Sequence, residues 1–202
     1  MRRRKKCVPM MALCLLLAGC GAAGEGEPTG DADALRQTYR EMAGCAMTAE
    51  VTCGGAEDVT VFTVRCQYDP AGESTVEVTA PDTVAGIRAT VDGETMALVY
   101  DGQVFPLGNL SSEDIAPVSC LPRLMDALRD GWLLEENGEK MDGEDCVRLS
   151  LDQTGENGGK VVSTLWLRRS GGTPVLGEMA VEDTVILQAR FTDFAFGDII
   201  TK

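Results

Sequence analysis

Two Asp-Gly pairs, Asp92-Gly93 and Asp101-Gly102, constrain the fold of this chain more than any other feature. Asp-Gly is favoured in two-residue hairpin loops because both loop positions need positive φ. With both pairs read as loops, Val91 lies opposite Glu94, Ala89 opposite Met96 and Ile87 opposite Leu98. Across the second loop Tyr100 meets Gln103, Leu98 meets Phe105 and Met96 meets Leu107. Three strands then share one apolar face, formed by Ile87, Ala89, Val91, Met96, Leu98, Tyr100, Phe105 and Leu107. The other face carries Arg88, Thr90 and Thr95 beside Ala97 and Val99. This is the pattern of antiparallel sheet with one side covered and the other wet.

The same alternation recurs on either side. Cys45, Met47, Ala49, Val51 and Cys53 alternate with polar or small residues, and a partner strand runs from Asp58 to about Tyr68. Closing these two around Gly54-Gly55-Ala56-Glu57 sets Met47 against Val64, Ala49 against Phe62 and Cys45 against Cys66, which makes Cys45 and Cys66 a disulfide candidate. Further strands are expected over Trp132–Glu136, Asp145–Leu151, Lys160–Arg168, Val175–Glu182 and Thr184–Phe191. Two segments have helical spacing instead. One starts at Asp31, carries Leu35, Tyr39 and Met42, and stops before Gly44. The other spans about Leu121 to Asp130 and presents Leu121, Leu124, Met125 and Leu128 as a narrow stripe.

The fold class expected is therefore mainly β (α+β). A single curved antiparallel sheet, or incomplete β-barrel of about ten strands, has an N-terminal helix and a mid-chain helix covering its concave face. The apolar lining of that face would be Phe62, Val64, Ile87, Ala89, Met96, Leu98, Tyr100, Phe105 and Leu107, covered by Leu124, Met125 and Leu128. It reads either as a filled core or as a cleft for an apolar ligand.

The first residues address the chain. Five cations, Arg2, Arg3, Arg4, Lys5 and Lys6, precede an apolar run from Cys7 to Gly19, which is shorter than the about 20 residues a membrane-spanning helix needs. Leu17-Ala18-Gly19-Cys20 resembles a bacterial lipobox, in which the cysteine is diacylated and the preceding peptide removed. Residues 1–19 then form a lipoprotein signal peptide, 20–30 the lipidated Cys20 and a Gly-rich flexible tether, and 31–202 the domain. Two acyl chains on Cys20 anchor a protein stably where one does not. Loss of the five cations takes the formal charge from −14 to −19, which disfavours nucleic acid and anionic lipid headgroups as electrostatic partners.

Little in the chain points to chemistry. The absence of histidine removes Ser-His-Asp and Cys-His arrangements, and no GxSxG elbow is present. No CxxC pair exists, so thioredoxin-like redox chemistry and the usual zinc sites are not expected, and no cofactor or metal is implied. The acidic run from Glu135 to Asp145 lacks the spacing of a calcium loop and reads as a solvated hairpin tip. Gly155 to Lys160 lacks the spacing of a phosphate loop and reads as another turn. The expectation is a protein that is not an enzyme.

The order of elements adds a resemblance. A leading helix, a hairpin, the run Pro81…Gly86-Ile87…Asp92-Gly93…Leu98-Val99-Tyr100-Asp101-Gly102…Leu107, a mid-chain helix, and strands with Pro174 and a closing Phe191-Thr192-Asp193-Phe194 resemble the LolA-like lipoprotein-carrier superfamily over about Asp31 to Phe194. The resemblance implies an incomplete barrel closed by helices, holding lipid or lipoprotein acyl chains in some members and serving as an envelope sensor in others. A chain tethered at Cys20 departs from a freely shuttling carrier, and Arg88 falls on the wet face, where it does not match a carrier's inward-facing gating arginine. The expectation is thus a non-enzymatic, extracytoplasmic lipoprotein, anchored to the bacterial cell membrane through Cys20 and binding a lipid or other apolar ligand. The alternative is a sensor or interaction domain with a filled core that contacts another envelope protein.

Overall fold

A computed structural model describes residues 30–54, 59–93, 95–109, 115–155 and 159–197. The signal segment, Cys20 and the tether up to residue 29 lie outside the described residues, as does part of the Gly155–Lys160 turn.

Eleven strands form one open antiparallel sheet. In chain order they are β1 (Cys45–Cys53), β2 (Thr60–Tyr68), β3 (Ser74–Ala80), β4 (Arg88–Asp92), β5 (Thr95–Tyr100), β6 (Gln103–Asn109), β7 (Trp132–Met141), β8 (Glu144–Asp152), β9 (Val161–Arg168), β10 (Pro174–Val181) and β11 (Thr184–Phe196). Their spatial order is β6-β5-β4-β3-β2-β1-β11-β10-β9-β8-β7, two meanders joined where β1 pairs with β11. The sheet does not close, and β6 and β7 are its edges. The chain passes from one edge to the other through α2 (Pro117–Asp130), so this connection lays a helix across the concave side. Helix α1 (Ala32–Glu41) packs beside it.

The expected fold class holds, with an eleventh strand. The additional strand is β3, where Val76 and Val78 alternate with Thr75, Glu77 and Thr79 and are both buried. The stripe of α2 is buried in full: Leu121, Leu124, Met125 and Leu128 have no exposed surface. They meet Met47, Ala49, Val64, Cys66, Val76, Ala89, Leu149, Leu165 and Met179 in one core. Helix α2 begins at Pro117, whose missing N–H costs nothing in a first turn, and Ser119 Oγ accepts from the Ala116 N–H at 3.2 Å.

Three registers differ from expectation. Met47 faces Cys66, Ala49 faces Val64 and Val51 faces Phe62, two residues away from the expected pairing. Cys45 therefore faces Tyr68, not Cys66, and both cysteines are free buried thiols. At the first Asp-Gly pair, Asp92 belongs to the ladder opposite Thr95, and Val91 faces Met96 and Ala89 faces Leu98. Met96 thus takes the place expected opposite Val91, while Glu94 lies outside the described residues. The second pair behaves as expected: Asp101 and Gly102 have φ of 49° and 72°, Tyr100 faces Gln103 and Leu98 faces Phe105. A register shift then brings Gly108, not Leu107, opposite Met96.

Candidate functional site

The concave face was the only surface the sequence singled out for a ligand, and it divides into two parts. Under α2 it is filled. Val64, Ala89 and Met96 are buried with Leu124, Met125 and Leu128, while Phe62 and Leu98 are half-buried against the same core. Ile87 is half-buried just before β4. On the far side of the helix, a Cβ added at Gly177 of β10 would come within 2.8 Å of Leu124 Cδ1. Helix and sheet are thus in direct contact, and the space an acyl chain would need there is occupied by side chains.

Beyond α2 the face is open. Tyr100, Phe105 and Leu107 of the β5–β6 hairpin are 58%, 47% and 50% exposed. Phe105 lies directly opposite Leu98, and Leu98 opposite Ala89, so Phe105 continues the row that is buried two strands away. The residues expected as one lining are therefore a core at one end and an uncovered apolar ledge at the other.

The ionisable groups near α2 are engaged in structure. Tyr68 donates its hydroxyl to Asp126 Oδ1 at 2.5 Å, and Arg129 Nη1 donates to the same hydroxyl at 3.1 Å. Burial raises the Asp126 carboxyl above its usual value, against the pull of Tyr68 and Arg129. Tyr68 is likewise raised, first by burial and then by Asp126. Burial also pushes the Cys45 thiol up to about 12 and raises Cys53, Cys66, Cys120 and Cys146, which keeps these thiols protonated and poor nucleophiles.

The acidic run from Glu135 serves the fold. Glu136 Oε1 accepts from the Asp31 and Ala32 N–H groups at 2.7 and 3.3 Å, capping α1 from a distant strand. Glu135 pairs with Arg148, Glu139 accepts from Trp166 Nε1 at 2.9 Å, and Asp142 pairs with Arg190. No group of three or more candidate ligands that could hold a metal occurs among the described residues. None of the described helices is long and apolar enough to cross a membrane.

No family model matches the sequence, and no curated protein matches it. Solved structures do resemble it. A DUF1329 family protein from Desulfovibrio piger superposes with a TM-score of 0.51 at 11% identity, covering 85% of this chain and 92% of that one. An uncharacterised conserved protein from Thermus thermophilus gives 0.50 at 12% identity, covering 84% and 89%. A LolA superfamily protein from Nitrosomonas europaea gives 0.48 at 12% identity, covering 87% and 98%. The first two establish that the open sheet with helices on its concave side is a known fold. At such identities they say nothing of what it binds.

Proposed function

We propose that the chain is a non-enzymatic, extracytoplasmic lipoprotein, cleaved before Cys20 and anchored to the bacterial cell membrane by a diacyl group there. Its domain, residues 31–202, holds an acyl chain or similar apolar ligand on the open ledge of its concave face. The observation that carries this reading is the continuation of the row from buried Ala89 through half-buried Leu98 into exposed Phe105, with exposed Tyr100 on the same face. Contiguous exposed apolar patches mark interaction surfaces or ligand-binding grooves, whereas singly scattered apolar residues do not. The filled interior under α2 moves the ligand outward from the cleft first expected. It also favours a second reading, in which another envelope protein covers the same ledge. The resemblance to LolA-like proteins supports both readings, and the lipobox resemblance supports the anchor.

Native mass spectrometry of the protein from its own host, followed by lipid extraction, tests the ligand. A co-purifying acyl lipid that is lost in Phe105→Ser supports the first reading. Absence of any apolar ligand, together with failure to take up added oleate, overturns it. Cys20→Ala should abolish processing and membrane association; if both persist, the anchor is wrong.

A further inference from the structure

On the convex side, away from the ledge, β2, β3 and β4 bring three charged residues into one row. Arg65 lies directly opposite Glu77, and Glu77 opposite Arg88. The neighbouring row is Gln67, Thr75 and Thr90. These six side chains border a groove of about 290 Å³. Arg88 Nη2 donates to Glu77 Oε1 at 3.3 Å, which leaves the second guanidinium uncompensated. Arg65 alone among the described Lys and Arg residues has no hydrogen-bond or ion-pair partner. The others are bound to carboxylates, to backbone carbonyls or in contacts elsewhere. The side chains of Gln67, Thr75 and Thr90 also have no hydrogen-bond partner among the described residues.

In a chain of formal charge −14 a free arginine is unusual, because carboxylates outnumber cations 32 to 18. Here two guanidiniums flank one carboxylate, for a local charge of +1, with two hydroxyls and an amide alongside. Guanidinium forks match the oxygens of phosphate, and the Thr75 and Thr90 hydroxyls on β3 and β4 add donors beside them. We propose that this groove binds a phosphate group, with Arg65 as the principal donor, Arg88 as the second, and Glu77 as the residue that limits affinity. The inference does not rest on acyl binding at the ledge, which lies on the opposite face.

The test is a titration of the full chain with inorganic phosphate, followed by the NMR signals of the arginine Nε–H groups. Saturable shifts confined to Arg65 and Arg88 are expected. Arg65→Ala should weaken binding about tenfold or more, the loss of one charge-assisted contact. Glu77→Gln should tighten it, while Asp183→Asn, equal in charge change but on the β10–β11 turn, should leave it unchanged. Because Arg65 is exposed, its replacement leaves the fold intact and the comparison fair. Vesicles of phosphatidylglycerol form the second arm. Arg65-dependent binding to vesicles alone identifies a lipid headgroup as the source of the phosphate, and Arg65-dependent binding of inorganic phosphate identifies a soluble one. Non-saturating shifts in both arms, or equal affinity in Arg65→Ala, overturn the proposal.

Discussion

Arg36 Nε donates to the carbonyl of Leu128 at 2.9 Å, so that α1 closes the C-terminal end of α2. The same guanidinium reaches the carbonyls of Arg129 and Gly131, and Arg40 Nε adds a bond to Arg129 O at 3.0 Å. Carbonyls of a last helical turn have no partner within the helix, and the negative end of the helix dipole favours a cation there. Helix α2 crosses the concave face as the link between the two edges of the sheet, so its position depends on this clamp as well as on its apolar stripe. Arg36→Ala should therefore destabilise the protein by about 2–3 kcal/mol, since it strands buried acceptors as well as losing charge-assisted bonds. Arg36→Lys, with a point charge in place of a fork, should recover part of that loss. Urea unfolding of the two variants measures the difference, and equal stability of Arg36→Ala and the parent would mean that the clamp is idle.

The contact of α2 with β10 makes a second prediction. Gly177→Ala places a methyl 2.8 Å from Leu124 Cδ1, and the overlap should cost about 1–3 kcal/mol. Leu124→Ala alone should cost about 2–5 kcal/mol through the cavity it opens. Combined, the two should cost less than their sum by about 1 kcal/mol or more, because the new methyl enters the space the leucine vacates. Strict additivity in a double-mutant cycle would show that helix and strand are not in the contact described.

Asp126 gives the stability a pH dependence whose sign can be worked out. Its folded value is raised by burial above the unfolded 3.8, so the ionised form is the costly one. The stability it contributes is full below 3.8 and declines as pH rises through the raised folded value, because the folded state then binds more protons than the unfolded one. Asp126→Asn keeps an acceptor for the Tyr68 hydroxyl without a charge. It should equal or exceed the parent in stability at about pH 7, with the advantage shrinking toward about pH 3, as read from urea midpoints. A variant that is less stable than the parent at neutral pH and equal to it in acid would reverse the sign.

The registers explain what the sequence disclosed and what it withheld. Alternation determines which residues share a face, because a slip of one residue turns every side chain over. A slip of two leaves the faces unchanged. Met47, Ala49 and Val64 are therefore buried as expected, although each pairs two residues from the expected partner. The Cys45–Cys66 pairing depended on absolute register and did not survive. Asp101-Gly102 was legible because its loop has the expected length, whereas at Asp92-Gly93 the length alone did not tell which two residues form the loop. The site was legible to a smaller degree. Which residues line the concave face followed from periodicity, but the reach of α2 over it did not, since that depends on where a helix joining the two sheet edges comes to rest. The row Arg65–Glu77–Arg88 depends on β3, whose two large apolar residues, Val76 and Val78, give too short an alternation to stand out as a strand. The cap on α1 from Glu136 joins residues more than a hundred positions apart and has no local signature.

The last prediction separates core from ledge among residues that looked alike in the sequence. Leu128 and Phe105 were both expected to line one apolar face, yet the first has no exposed surface and the second is 47% exposed. Leu128→Ala removes methylene groups from a packed interior and should cost about 2–5 kcal/mol. Phe105→Ser changes a side chain that is about half hydrated in the free protein, so its cost should stay below about 1 kcal/mol. The same substitution should abolish uptake of oleate, which Leu128→Ala, if it folds, should leave intact. Thermal unfolding and oleate binding measured on both variants therefore give opposite patterns if the ledge holds the ligand. If Phe105→Ser is strongly destabilised, the ledge is part of the core; if it is stable and still binds oleate, the ligand lies elsewhere.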